Sequence, residues 1–363
     1  MILFDYRMND WTGLGKYSKN LIKEFNNIQS IDDLYLLSNK KTEDNRFDLN
    51  NIKCESDVFS IKEQLELPFI TYNNQIDLFH SPHFVFPVFN FNKIVLTIHD
   101  ITPLLFSEDY SKMAIMYMKS MIWLAKFRAN KVITVSKNTK QDLIDKFNFK
   151  EEKIKVTHIA IDDFYEQIDD VQALNTIKNK YNTGEEYLLY VGNIKPYKNI
   201  SRLLKALAKV KKYNKDIKLI IVGKRDDGYD EVFDIMEEHN LEDNVSFTGF
   251  VSNEDLLLLY NAATAFVFPS LYEGFGLPPV EAMACGTPVV ATNTSAVPEV
   301  VDDAAVKFNP YDVNEMAKSI IDVLDNKKLQ QKLSKNGLKR AEKFSWKKTA
   351  KETLEVYKEV LNK

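Results

Sequence analysis

Ala265-Phe-Val-Phe-Pro-Ser-Leu-Tyr-Glu273-Gly-Phe-Gly-Leu-Pro-Pro-Val-Glu281-Ala-Met-Ala-Cys-Gly286-Thr-Pro-Val-Val-Ala291 reads as strand, glycine-rich turn, short helix and strand. Ala265–Phe268 and Pro288–Ala291 are the strands. The residue before a proline avoids helical angles, so the helix is predicted to start at Pro279, with Glu281 in its first turn and Gly286 as its C-terminal stop. Neither Pro278 nor Pro279 has an N–H. The donors at this helix entry are therefore the amides of Phe275, Gly276 and Leu277, and Gly274 and Gly276 let a ligand approach them. Amides at a helix start after a strand suit phosphate. Glu273 on the loop side and Glu281 on the helix side do not suit it. Carboxylates accept from hydroxyls, so the pattern fits phosphate in the middle and hydroxyls at both ends, as in a nucleotide-sugar. The simpler reading, a solvated Glu273 and a Glu281 that only favours the helix dipole, serves either residue alone better than it serves the whole string.

Working outward, the same alternation fills the chain. Short β-branched runs recur at Ile2–Phe4, Leu34–Leu37, Leu78–His80, Ile94–Ile98, Val132–Val135, Ile154–Thr157, Tyr187–Val191, Lys218–Val222, Val245–Phe247 and Ala304–Phe308. Helical patterns lie between them. Unbroken apolar strands alternating with helices imply parallel sheets covered on both faces. A chain of 363 residues exceeds what one core usually serves, roughly 250–300 residues. The polar stretch 162–185 marks the break. The fold class is α/β: two Rossmann-like doubly wound domains facing a cleft, with ligands expected beyond the carboxyl ends of the strands. The expected domains are 1–170 and 171–345, with a C-terminal helix over 346–363 packing back on the first.

Bulk properties narrow the function. A net charge of −4 without long runs of one sign speaks against nucleic acid as a partner. Two cysteines, Cys54 and Cys285, outside any C-x-x-C pair fit a reducing compartment. The start MILFDYRMND does not read as a signal peptide, and no uncharged apolar run is long enough to span a bilayer. A cytoplasmic location is expected.

Pro269-Ser-Leu-Tyr-Glu273-Gly-Phe-Gly-Leu-Pro-Pro-Val-Glu281-Ala-Met-Ala-Cys-Gly286-Thr-Pro-Val-Val-Ala resembles the signature of the family 4 retaining glycosyltransferases of the GT-B fold. The resemblance implies that Glu273 binds hydroxyls of the transferred sugar, that Glu281 binds the ribose hydroxyls, and that the amides of Phe275, Gly276 and Leu277 touch sugar and phosphate. It also implies retention of anomeric configuration. The Thr-Gly-Leu-Gly-Lys-Tyr start adds a look of bacterial polysaccharide mannosyltransferases. That makes GDP-mannose the leading donor, and a glycan or lipid-linked acceptor in surface polysaccharide synthesis the leading partner.

Other pieces of the site follow strands. Thr12-Gly13-Leu14-Gly15-Lys16-Tyr17 reads as a glycine turn. In the resembled family it closes over the donor phosphate, which makes Gly13 and Gly15 donor-binding candidates. Gly192, Asn193, Lys195 and Lys198 follow Tyr187–Val191. Lys198 is the main cation for the leaving diphosphate, because Asn193 stands where related enzymes often carry Arg. Lys224-Arg225 is a second basic pair after a strand. His99 is expected, by resemblance, near the reacting centre of the donor sugar, completing a catalytic set with Glu273 and Lys198. Asp100 is an acceptor-side candidate. His80-Ser-Pro-His83 lacks a third ligand and reads as packing rather than metal binding. No Asp-x-Asp triplet occurs, so no metal or other cofactor is expected and lysines and helix dipoles are predicted to replace a divalent ion. Ser136 is expected to cap a helix.

Stretch 110–131 has no acid, and Lys112, Lys119 and Lys126 recur on one helical face beside Met116 and Trp123. This fits a helix lying on anionic lipid at the inner face of the membrane. An interdomain helix with its Met side in the core is the favoured alternative. Competing functions are a non-catalytic nucleotide-sugar-binding protein, a nucleotide-dependent oxidoreductase, whose third glycine is replaced by Ser18, and a phosphorylase.

Overall fold

The computed structural model describes residues 1–28, 33–39, 47, 49–224 and 230–362. The chain divides into two compact units, Met1–Ala160 with Ser345–Lys363, and Ile161–Phe344.

The first unit holds a parallel sheet of seven strands, β1 (Ile2–Asp5), β2 (Leu34–Ser38), β3 (Asn50–Lys53), β4 (Leu78–Ser81), β5 (Lys93–Ile98), β6 (Lys131–Thr134) and β7 (Ile154–Val156). Their order is β3-β2-β1-β4-β5-β6-β7, and each neighbouring pair is parallel. Its helices are α1 (Thr12–Ile28), α2 (Glu63–Asn73), α3 (Thr102–Leu105), α4 (Lys112–Arg128) and α5 (Lys137–Phe147). Ser136 caps α5, its Oγ accepting from the Thr139 amide at 3.0 Å. Strand β3 is new relative to the sequence reading. It is an edge strand of half-exposed polar residues, so it has no apolar run to betray it.

The second unit repeats the plan with β8 (Tyr187–Val191), β9 (Lys218–Val222), β10 (Val245–Gly249), β11 (Ala265–Phe268), β12 (Val289–Thr292) and β13 (Ala305–Phe308). All pairs are parallel in the order β10-β9-β8-β11-β12-β13. The helices are α6 (Val171–Lys180), α7 (Ile200–Tyr213), α8 (Glu231–Glu238), α9 (Asn253–Ala262), α10 (Leu277–Ala284), α11 (Val297–Val301), α12 (Val313–Asp325) and α13 (Lys327–Ala341). Strands β8 and β11 are wholly apolar and almost fully buried because helices cover both faces. The strand order reverses between β8 and β11, where an open sheet of this kind leaves a crevice for ligand.

The division falls after Ala160 rather than at 170. Segment 161–170 is held by the second unit: the Ile168 amide donates to Asn261 Oδ1 at 2.7 Å, and Asn261 Nδ2 donates to the Glu166 carbonyl at 3.0 Å. The last helix, α14 (Trp346–Leu361), belongs to the first unit, where it packs on α1, β5 and β6. Thr349 Oγ1 donates to the His158 carbonyl at 2.7 Å, and Tyr357 Oη meets His80 Nδ1. Among the described residues, no helix is long and apolar enough to cross a membrane.

Candidate active site

In the second unit, three loops at the carboxyl ends of strands are fastened together. Asn199, in the left-handed region at φ 63°, donates from Nδ2 to the Pro269 carbonyl at 3.0 Å and the Pro310 carbonyl at 2.9 Å. The Leu271 amide donates to the Tyr197 carbonyl at 2.8 Å. The loop after β12 joins them: the Glu273 amide donates to Ser295 Oγ at 3.0 Å, and Thr294 Oγ1 to the Leu271 carbonyl at 3.1 Å. This framework holds Lys198 Nζ 2.6 Å from Glu273 Oε1, both side chains largely buried. The ammonium also lies over the rings of Tyr197 and Phe268, at 5.2 and 5.9 Å from their centroids. Sequence reading named Lys198 and Glu273 but gave them separate tasks. It did not name Asn199 or Ser295, whose roles come from distant loops and have no local signal.

Helix α10 begins at Leu277, with Gly276 as N-cap at φ 97°, two residues earlier than expected. The first turn of a helix does not use its amides for internal bonds, so Pro278 and Pro279 are accommodated there without loss. Glu281 consequently sits beyond the first turn, and no acid lies in it. Among the described residues, the amides of Gly276 and Leu277 have no hydrogen-bond partner within the chain. The Phe275 ring packs edge-on against Phe344 at 5.3 Å. Glu281 is buried, and Tyr260 Oη donates to its Oε2 at 2.9 Å. Burial and the Glu281 charge push the hydroxyls of Tyr260 and Tyr165 well up, so both stay protonated donors.

Gly192 and Gly223 explain their own identities. Gly223 has φ 147°, and a Cβ there would lie 2.1 Å from the Gly192 carbonyl oxygen. Only a glycine at 223 therefore lets the end of β9 come this close to the end of β8. Asn193 is exposed, its carbonyl accepting from Tyr190 Oη at 3.1 Å. Lys195 is half-buried and Lys224 exposed. Arg225 lies outside the described residues.

In the first unit, Gly13 and Gly15 are in the first turn of α1 and not in a loop. A Cβ on Gly15 would meet the Asn9 carbonyl oxygen at 2.3 Å, whereas nothing lies within 4 Å of one on Gly13. Thus Gly15 serves the close approach of loop and helix, and Gly13 keeps space open. His99 follows β5. Its Nε2 is 3.1 Å from the Pro82 carbonyl and its ring lies edge-on to Tyr17. Burial lowers its pKa to about 4, so the imidazole is neutral, with Nε2–H donating and Nδ1 left as an acceptor. Asp100 Oδ1 accepts from the Thr102 amide at 2.8 Å, which gives it a local role at the start of α3. His80 engages Tyr357 through Nδ1 and Thr97 through Nε2, so both ring nitrogens are spent in the core. Among the described residues, no group of three His, Cys, Asp or Glu could hold a metal ion.

Sequence reading also missed a buried charge cluster. Arg7 forks onto Asp5 at 2.9 and 2.7 Å and reaches Glu63 at 3.1 Å. Arg7 Nη1 donates to the Ser56 carbonyl at 3.1 Å, which ties the end of β1 to the loop before α2. Burial raises the Glu63 carboxyl to about 7, against the pull of Arg7 and with the push of Asp5.

Two doubly wound parallel-sheet units, the second with a Lys–Glu pair and unpartnered helix-entry amides at its switch point, define the GT-B class of glycosyltransferases. Residues 172–340 match the family described as "Glycosyl transferases group 1", and residues 55–163 match "Glycosyltransferase Family 4". The two matches together span most of the chain, which carries both glycosyltransferase family domains and is a glycosyltransferase. It is 29% identical to the O-antigen chain mannosyltransferase B of Escherichia coli, with 96% of each chain covered. It is 30% identical to the serotype-specific mannosyltransferase WbdA of Escherichia coli over 74% of this chain, and spans only 34% of that relative's length. The fold is similar to that of Anabaena HepE, solved in complex with UDP and glucose, at TM-score 0.79 and 19% identity over 99% of both chains. It is also similar to WaaG, a glycosyltransferase involved in lipopolysaccharide biosynthesis, at TM-score 0.73 and 14% identity over 98% of this chain and 99% of that one.

Proposed function

We propose that the protein is a retaining, metal-independent hexosyltransferase that moves mannose from GDP-mannose to a glycan or lipid-linked acceptor in surface polysaccharide synthesis. The observation that carries this reading is the Lys198–Glu273 pair beside the unpartnered amides of Gly276 and Leu277. Transfer passes through an oxocarbenium-like state while the diphosphate gains charge. Lys198 and the amides neutralise that charge without an ion. Glu273, oriented by Lys198, accepts hydroxyls of the transferred sugar through its remaining acceptor capacity. Glu281, hydrogen-bonded by Tyr260 and by Tyr165, accepts the ribose hydroxyls. Neutral His99 offers Nδ1 near the sugar, and Asp100 stands on the acceptor side. The mannosyl choice is supported by the O-antigen mannosyltransferases among the relatives. The location is cytoplasmic, with contact to anionic membrane through 110–131.

The test is a thermal-shift series with GDP, UDP, dTDP and ADP. Stabilisation follows RT ln(1 + [L]/Kd), so GDP should stand out. Turnover of GDP-mannose unchanged by EDTA, with an α-linked product, completes it. A UDP preference would remove the donor assignment, and loss of activity in EDTA the metal independence.

A further inference from the structure

Helices α2 and α4 carry apolar residues on their outer as well as their inner sides, as a helix with both faces covered would. Neither is so covered. On α2, Leu67 and Ile70 face the core, while Leu65, Phe69 and Tyr72 form an outward stripe at helical spacing, continued by Ile61 just before the helix. Ile61 is 87% and Tyr72 81% exposed. On α4, Met118, Met121, Ile122 and Ala125 are buried. Met113, Met116, Trp123 and Phe127 are exposed on the opposite face, among Lys112, Lys119 and Lys126. The Met side of α4 is therefore only half packed away, contrary to the favoured sequence expectation.

Between the two helices runs the 86–92 loop, which carries Phe89 and Phe91, the latter 99% exposed. It is held from both sides. Gln64 of α2 donates from Nε2 to the Phe86 carbonyl at 3.2 Å and accepts the Val88 amide at 2.9 Å. Thr71 bonds Asn90 Oδ1 at 2.9 Å. From α4, Arg128 donates to the Val88 carbonyl at 3.0 Å and also to the Asn90 carbonyl. Because its backbone is tied down, the loop presents its phenylalanines as a built feature.

We propose that α2, the 86–92 loop and α4 form one bilayer-docking face for an anionic leaflet. This deepens the membrane contact proposed for 110–131 and rests on it. Leu65, Phe69, Phe89 and Phe91 enter the acyl boundary, and the α4 lysines stay at the headgroups with their stems along the apolar face. Charge selects lipid over a protein partner. Among the described residues, Lys112, Lys119 and Lys126 take part in no ion pair and α4 carries no acid. Protein interfaces are depleted in lysine, whereas anionic headgroups attract it.

The experiment is flotation of the full chain with vesicles of phosphatidylcholine alone or mixed with phosphatidylglycerol. The variants are Leu65→Ser/Phe69→Ser, Phe89→Ser/Phe91→Ser, and Lys112→Gln/Lys119→Gln/Lys126→Gln. Unchanged circular dichroism and thermal midpoint establish that each variant is folded. The wild type should float with the anionic vesicles, and each serine pair should lower partitioning by roughly tenfold or more. The lysine variant should lose the preference for anionic lipid. Serine pairs that bind like the wild type, with the lysine variant defective, would overturn the enlarged face and leave the α4 contact standing. A wild type that binds neither vesicle would overturn both. A wild-type dimer dissolved by Leu65→Ser/Phe69→Ser, without vesicle binding, would give the face to a second copy and overturn the proposal.

Discussion

Lys198 Nζ and Glu273 Oε1, 75 residues apart in sequence, form a 2.6 Å ion pair at the point where the strand order of the second sheet reverses. The pair makes the two residues one functional unit. Glu273→Gln is expected to lower kcat by roughly 10²–10³, the cost of one lost transition-state contact. Lys198→Ala should do similar damage. In the double variant the losses should fall well short of adding, because each single change already breaks the pair. Steady-state rates across the cycle check this, and additive losses would mean that the residues act separately.

Tyr260→Phe removes the donor to Glu281 Oε2. A hydrogen bond to a charged group is worth about 1.5–3 kcal/mol, so nucleotide affinity should fall by roughly tenfold or more. Because Glu281 is assigned to the nucleoside, KM for the donor should rise more than kcat falls. Titration calorimetry with the free nucleotide separates the two, and an unaltered Kd would detach Glu281 from the nucleoside.

The two glycines of α1 should separate stability from function. Gly15→Ala forces a Cβ to 2.3 Å from a backbone oxygen and should lower the thermal midpoint by several degrees. Gly13→Ala meets nothing within 4 Å and should leave the midpoint unchanged. If Gly13 borders the donor phosphate, kcat/KM should nevertheless drop. A stable and fully active Gly13→Ala enzyme would remove that residue from the site.

Acid sensitivity should come partly from buried histidines. His80 has its pKa lowered from 6.5 to about 3, by burial first and His99 second. The unfolded chain therefore takes up this proton at higher pH than the folded one. The stability that neutral His80 contributes is present above about pH 6.5 and is lost as pH falls toward 3, with a slope of up to about 1.4 kcal/mol per pH unit. Urea midpoints between pH 7 and 4 measure it. His80→Gln should be less stable at pH 7, having lost an optimised bond to Tyr357, and should show a shallower fall.

How far the sequence could be read varied with the range of the interactions. The apolar strands β1, β8 and β11 announced themselves because strands covered on both faces carry no polar alternation. The polar edge strand β3 did not. Helix α10 starts two residues before Pro279 because the amides of a helix's first turn make no internal bonds and prolines fit there, and this places Glu281 beyond the first turn. The glycine pattern of 13 and 15 points to a ligand, and only the structure shows Gly15 packed against Asn9 and Gly13 open.

The sequence by itself determined the order of the apolar strands, the motif around Glu273 and the resemblance to a glycosyltransferase family. These depend on residues within a few positions of one another. Tertiary structure alone decided that Lys198 is partnered by Glu273, that Arg7 is buried between Asp5 and Glu63, and that the outer faces of α2 and α4 remain uncovered. Charge pairing and burial are settled by whichever segments the folded sheets bring alongside, and no local pattern encodes those neighbours.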